Sequence, residues 1–195
     1  MKVAVGIDIG GTKVAVALIN ENGEIVSRSQ SPSQTASAES LYQGVVQLVD
    51  KVLNDNDLRI QDTYGIGVGL PGKVDVENGV AIFQNNIPWA NFPIVERLKE
   101  TYGDIPVKID NDVKVAAYAE YRMLNLKPTD MFGYVTVSTG IAATNIVNNT
   151  ILRGEGFSGE IGFVKVPYFE CLEALEVACS GVGIERTGRE IYEDE

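Results

Sequence analysis

Apolar and polar positions alternate through residues 2 to 9, and this period of two predicts a strand. Gly10-Gly11-Thr12 makes a tight turn, and Val14 to Ile19 forms a second strand. After Asn22-Gly23, a hairpin signal, a third strand runs from Glu24 to about Gln30. The opening is therefore expected to be an antiparallel β-meander. The period then changes: apolar residues fall at 38, 41, 42, 45, 46, 48, 49, 52 and 53, which is helical spacing. Ser37 is the expected N-cap, with Glu39 in the first turn.

Further along, a glycine-rich apolar strand from Tyr64 to Leu70 ends in Pro71-Gly72, and short β segments follow around Val74 and from Val80 to Phe83. A loop from Gln84 to Phe92 carries Asn85, Asn86 and Trp89. A helix over 93–102, a strand over 106–110 and a helix from about Asn111 to Leu124 complete a β-then-α unit. Lys127-Pro128-Thr129-Asp130 is the linker candidate, dividing a domain over 1–126 from one over 130–195. Beyond it the opening pattern returns: strand 133–138, a Thr139-Gly140 turn, strand 141–147, Asn148-Asn149 and a short strand over 150–153. A β-turn-β opening in each half suggests an internally duplicated α/β fold.

A chain of 195 residues with 45% apolar side chains can bury one large core or two small ones. The absence of histidine excludes imidazole chemistry and leaves acid-base work to carboxylates, lysine or tyrosine. Cys171 and Cys179 read as part of one helix, roughly 12 Å apart along its axis, too far for a bridge, and are expected to be reduced, packed thiols. A net charge of −11 without a basic cluster argues against a nucleic-acid surface. The N-terminal segment, interrupted by Asp8, resembles neither a leader peptide nor a membrane span, so the expected location is cytoplasmic.

The chemistry-bearing segment nearest the N-terminus is Asp8-Ile9-Gly10-Gly11-Thr12-Lys13. Its glycines let backbone N–H groups approach an anion, Thr12 and Lys13 add donors, and Asp8 can hold a hydrated Mg²⁺ that bridges phosphates. The glycines alone fit an ordinary hairpin equally well; the acid at the end of the preceding strand is what favours phosphate. A P-loop is excluded, because that motif is followed by a helix and here a strand follows. Asn111 and Asp112 open a predicted helix, where such residues commonly serve as caps.

Taken in order along the chain, these segments resemble the ROK group (repressors, open reading frames and kinases) of bacterial sugar kinases. The resemblance rests on Asp8 to Lys13, on Gly69-Leu70-Pro71-Gly72-Lys73-Val74-Asp75 and on Asn86-Ile87-Pro88-Trp89. It continues through Asp110-Asn111-Asp112, Arg153-Gly154, Gly159-Glu160-Ile161-Gly162 and Cys171-Leu172-Glu173-Ala174 with Ser180-Gly181. It implies an actin-like ATPase (ribonuclease H-like) fold of two domains, the second incomplete, and ATP-dependent phosphorylation of a hexose with Mg²⁺. Asp112 would be the general base. Asp8, Gly10, Gly11, Thr12, Lys13, Thr139 and Gly140 would bind the nucleotide phosphates, and Gly72, Asn86, Asn111, Glu160 and Glu173 the sugar. Many sugar kinases of this type are dimers, which makes a second copy of the chain a candidate partner.

Four departures from the family pattern stand out. The second phosphate loop reads Ser138-Thr139-Gly140-Ile141-Ala142-Ala143-Thr144, with side chains where the family is glycine-rich. Phe163 occupies a position that is usually a sugar-binding histidine. The cysteine-rich zinc segment is missing, so no structural zinc is expected. The chain stops at Glu195, where the family continues into an adenosine-binding part, so slow turnover is expected of these 195 residues. A sugar-binding regulator and an inactive fragment are the alternatives; the early phosphate hairpin leaves no room for the N-terminal DNA-binding domain of ROK repressors.

Overall fold

The computed structural model describes residues 2–84 and 86–193, so Asn85 of the predicted loop and the terminal Glu195 lie outside the described residues. The chain forms two compact units, Met1–Asp112 and Val113–Glu195.

In the first unit, β1 (Val3–Ile9), β2 (Lys13–Asn20) and β3 (Ile25–Pro32) form the expected antiparallel meander. The turn from β2 to β3 is fixed by Asn20, whose Oδ1 accepts from the backbone N–H groups of Asn22 (3.0 Å) and Glu24 (2.9 Å). Helix α1 (Ala38–Asn54) starts at Ser37, whose side chain accepts from Ser40 N while Ser40 Oγ accepts from Ser37 N, a reciprocal capping box. Strand β4 (Ile66–Leu70) then joins the sheet parallel to β1. Three short strands, β5 (Lys73–Asp75), β6 (Val80–Phe83) and β7 (Ala90–Phe92), make a small antiparallel sheet. Strand β7 lies within the segment expected to be loop; at three residues it is too short to show a period. Helix α2 (Ile94–Tyr102) and strand β8 (Val107–Asn111) complete the unit. The five-stranded sheet has the order β3-β2-β1-β4-β8, antiparallel on one side of β1 and parallel on the other.

The period-two pattern places Val3, Val5, Ile7 and Ile9 of β1 in the core, and the helical pattern places Leu41, Tyr42, Val45, Leu48, Val49, Val52 and Leu53 of α1 there with them. Tyr42 ties α1 to α2 by donating to the Arg97 carbonyl (2.7 Å), and the Arg97 guanidinium lies over its ring and pairs with Glu39 (2.9 Å). Tyr102 returns the contact, its hydroxyl donating to Asp50 (3.0 Å). Burial, reinforced by the Asp50 carboxylate, pushes that phenol well above its ordinary pKa. Trp89 is buried, stacks on Phe92 at 4.4 Å between centroids and donates its indole N–H to the Ala38 carbonyl (3.0 Å).

Helix α3 (Asp112–Met123) begins at the last residue of the first unit and packs with the second: its Tyr121 meets the Phe132 ring at 5.8 Å and hydrogen-bonds Asn149. For that reason the units divide upstream of the Lys127–Asp130 turn. A second meander follows, β9 (Met131–Val137), β10 (Ile141–Val147) and β11 (Thr150–Ile151), in the order β11-β10-β9. Asn148 and Asn149, both at positive φ (49° and 59°), form its two-residue turn, the chemistry a type I′ hairpin requires. On the edge strand β9, alternate side chains including Met131, Val135 and Val137 are exposed. The remainder is β12 (Lys165–Tyr168), β13 (Cys171–Ala174), α4 (Leu175–Cys179) and α5 (Gly181–Glu193).

Cys171 and Cys179 do not share a helix. The first opens β13 and the second closes α4, and both thiols are free and exposed rather than packed. The apolar letters between them belong half to a strand and half to a short helix, which blurs either period. No helix among the described residues is long and apolar enough to cross a membrane.

Leu41, fully buried in the first-unit core, gives the test of this packing. Leu41→Ala should cost about 2–5 kcal/mol, whereas Val26→Ala, at a half-exposed position of β3, should change stability by less than about 0.5 kcal/mol. Urea unfolding followed by the fluorescence of Trp89, the chain's only tryptophan and a member of the same core, reads both.

Candidate functional site

Strands β1, β4 and β8 run parallel, and their registers bring Asp8, Gly69 and Asp110 side by side at the carboxyl ends. This is the edge of an α/β sheet where ligands bind, because the chain turns away there and leaves an open crevice. Asp8 is exposed between buried Ile7 and Ile9. The turn after it is closed by Gly10 N–H donating to the Lys13 carbonyl (2.9 Å). Ser33 holds it from β3's side, its hydroxyl donating to the Gly10 carbonyl (2.5 Å) and its N–H to the Thr12 carbonyl (3.0 Å). Thr12 and Lys13 are exposed. Gly11 lies against the predicted sugar loop: a Cβ at this position would fall 2.7 Å from both the Cβ and the carbonyl oxygen of Asn86. The fold thus brings the glycine hairpin and Asn86 into direct contact.

Gly72 adopts φ of +71°, a region open to glycine, and a Cβ there would lie 2.3 Å from the Phe83 carbonyl oxygen. Its own carbonyl accepts from Asn111 Nδ2 (3.1 Å), so two residues from separate sequence segments are joined at the same sheet edge. Asn111 is buried and ends β8 rather than opening the helix. Its backbone N–H donates to Asp110 Oδ1 (2.9 Å). Asp112, half-buried, is the first residue of α3, and Gly69 leaves room for it: a Cβ on Gly69 would be 3.6 Å from the Asp112 Cα. A hydroxyl-rich ligand at this edge would meet a carboxylate and amides, the groups suited to hydroxyls.

In the second unit, Ser138-Thr139-Gly140 forms the turn between β9 and β10, closed by Ser138 N–H donating to the Gly140 carbonyl (2.9 Å). Gly181 N–H, at the start of α5, donates to the Ser138 carbonyl (2.8 Å). Ile141, Ala142 and Ala143 belong to the ladder, opposite Val137, Thr136 and Val135, so the turn proper is shorter than the glycine-rich stretch it was compared with. Ala143 N–H donates to the Gly159 carbonyl (2.7 Å), which docks the segment carrying half-buried Glu160 onto β10. Phe163, close after it, is exposed.

Glu173 is held away from this turn by partners on its own hairpin. On β13 it pairs with Lys165 across the hairpin (3.5 Å) and accepts from Ala174 N–H (3.2 Å). Glu176, which was not singled out from the sequence, is brought there instead. Its Oε2 lies where a Cβ on Gly140 would come within 2.9 Å and one on Gly162 within 2.8 Å, so both glycines make room for this carboxylate. The signal was present in duplicate: Leu172-Glu173 and Leu175-Glu176 carry the same letters three residues apart. Only the second lies one helical turn before Ser180, the buried residue whose Oγ accepts from Gly183 N–H (3.2 Å) at the start of α5. Among the described residues no group of three Cys, Asp or Glu gathers to hold a metal ion.

The chain is 32% identical over 164 residues to a glucokinase of Halalkalibacterium halodurans, a match covering 83% of this chain and 49% of that protein. It is 26% identical over 166 residues to a xylose repressor of Caldicellulosiruptor bescii, covering 84% of this chain and 41% of the repressor. Among solved structures, a ROK family glucokinase from Streptomyces griseus in complex with glucose and AMPPNP superposes with a TM-score of 0.78 at 27% identity, over 96% of this chain and 60% of the other. The chain spans about half the length of the curated glucokinases it matches. The fold is the two-domain α/β fold of the actin-like ATPases. The sequence model of the ROK family matches residues 4–193, and the chain belongs to that family.

Proposed function

We propose that this chain carries the hexose and phosphate sites of an ATP-dependent sugar kinase acting in the cytoplasm. The observation that supports it best is the gathering of Asp8, Gly11, Gly72, Asn86, Asn111 and Asp112 along one sheet edge, in a chain that resembles a glucokinase solved with glucose and AMPPNP. Asp112 accepts the proton of the attacking sugar hydroxyl, a role a carboxylate can take in a chain without histidine. Gly72, Asn86 and Asn111 bind and orient the hexose; Glu160 is a sugar ligand on the family resemblance alone. Glu176, lying against Gly140 and Gly162, takes the place first given to Glu173.

The hairpin residues fit a nucleotide phosphate. Gly10 and Gly11 keep side chains away from the turn, exposed Thr12 and Lys13 offer donors, and Thr139 with Gly140 supplies a second turn. Exposed Asp8 fits a water-mediated contact to Mg²⁺, since Gly69 beside it places no side chain in the way. When bound, MgATP supplies the phosphoryl group and shields its charge. The exposed, unbridged Cys171 and Cys179 accord with a reducing compartment.

The likeness to a xylose repressor supports a second reading, a sugar-responsive regulator that keeps the hexose site without turnover. Phe163, apolar and exposed beside Gly162, favours it by withholding one polar partner from the sugar. A coupled assay of ADP release over a hexose panel, run beside sugar binding by calorimetry, separates the readings. Hexose-dependent ADP release, slow from these 195 residues, is expected of the kinase and binding without release of the regulator, while the absence of both binding and release would sink both readings.

Two substitutions sharpen the test. In the complete protein, Asp112→Asn should lower hexose-dependent ADP release by about 10² or more while sugar affinity changes far less, because the amide still bonds a hydroxyl. Near-normal turnover in a folded Asn variant would leave Asp112 a structural residue. Gly11→Ala should push Asn86 aside and reduce turnover on the order of 10²-fold, the scale of a small misplacement at a reacting centre. A fully active Gly11→Ala protein would separate the hairpin from the sugar loop.

A further inference from the structure

The Pro71-Gly72-Lys73 turn is gripped by two side-chain amides. Asn111 Nδ2 donates to the Gly72 carbonyl and Gln84 Nε2 donates to the Lys73 carbonyl, each at 3.1 Å. Gln84 closes off the small sheet after β6 and is only 7% exposed. Its orientation is determined by chemistry: the Lys73 carbonyl can only accept, so the amide nitrogen must face it and Oε1 must face away. That oxygen is fully buried and has no hydrogen-bond partner among the described residues. It points at Gly72, where a Cβ would lie 3.2 Å from it. A buried acceptor without a donor is unfavourable, and native chains tolerate few of them, so this one, beside the turn that Asn111 also holds, calls for a donor in another state of the site.

We propose that Gln84 is a further hexose-site residue. Its Nε2 positions the Gly72–Lys73 turn, and with it Asn111, while its Oε1 accepts a hydrogen bond from one hexose hydroxyl on binding. This rests on the hexose reading above and adds a determinant of which hydroxyl pattern is recognised. Gln84 fills its position tightly, so the turn must yield slightly as the sugar enters, and Gly72 is the residue whose backbone permits that.

The test is calorimetric titration of the 195-residue chain with glucose and the set of monodeoxyglucoses, using wild type, Gln84→Met and Gln84→Glu. Wild type should lose about tenfold in affinity for the one deoxy sugar that lacks the paired hydroxyl. Gln84→Met, of similar length with neither donor nor acceptor, should bind glucose about tenfold more weakly and no longer distinguish that deoxy sugar from glucose. Gln84→Glu keeps an acceptor oxygen but gives up the donor to the Lys73 carbonyl, so it should bind glucose more weakly than wild type yet keep some of the distinction, a result that a purely structural role would not produce. If wild type binds glucose and a folded Met variant retains every deoxy penalty, or the Glu variant loses them all, the role of Gln84 is overturned and the hexose reading stands. If wild type binds no hexose, the hexose reading itself fails and this assignment falls with it.

Discussion

Strand β1 has to satisfy two kinds of neighbour at once. On one side it pairs antiparallel with β2, which requires only a tight hairpin; on the other it pairs parallel with β4, which requires a crossover through α1. The meander's turn and the carboxyl ends of β4 and β8 must therefore lie along the same edge of the sheet. Everything polar in the first unit's candidate site is a consequence. Asp8 leaves the core at that edge, Gly69 and Asp110 are its lateral neighbours by register, and the Gly10–Thr12 turn is the only way back into β2. The apolar residues of β1 and α1 hold this strand in place, so the geometry of the edge derives from the burial of Val5, Ile7 and Ile9.

The small β5-β6-β7 sheet works differently. It adds Ala81 and Phe92 to the core, follows Gly72 and leads into Asn86, and it is also fastened by individual contacts. Asn111 and Gln84 grip successive carbonyls of one turn, and Trp89, stacked on Phe92, ties the far end to the start of α1. The burial of Trp89 and its bond to Ala38 account for it as packing. Loops fixed by a few polar contacts on a rigid sheet are where binding residues concentrate, because they can be re-aimed without disturbing the core.

Much of this could be read directly from the sequence. The first meander, α1 with its Ser37 cap, and the Asn148-Asn149 turn follow from local rules of period and turn chemistry, and the structure contains them with boundaries shifted by a residue or two. What escaped depends on partners distant in sequence. Strand β7 exists because β6 offers it an edge, and Asn111 ends a strand because β4 continues alongside it. Leu172-Glu173 and Leu175-Glu176 carry the same letters, and only their spacing to Ser180 separates them in the sequence. The difference arises from Lys165, which lies across a hairpin from the first glutamate, and from the two glycines that open space for the second.

The edge strand β9 also bears on how the protein behaves in bulk solution. Its outer backbone groups are unpaired within the β11-β10-β9 sheet, and Met131, Val135 and Val137 give it an adhesive flank without the lysine or proline that usually blunts such edges. Against that flank stands the long-range repulsion between copies that a net charge of −11 produces. Repulsion of that kind has a range set by the ions around it, shrinking to about 10 Å at 0.1 M salt. The colloidal stability of this chain is therefore lent by its solvent: dilute buffer protects the bare strand, and brine uncovers it.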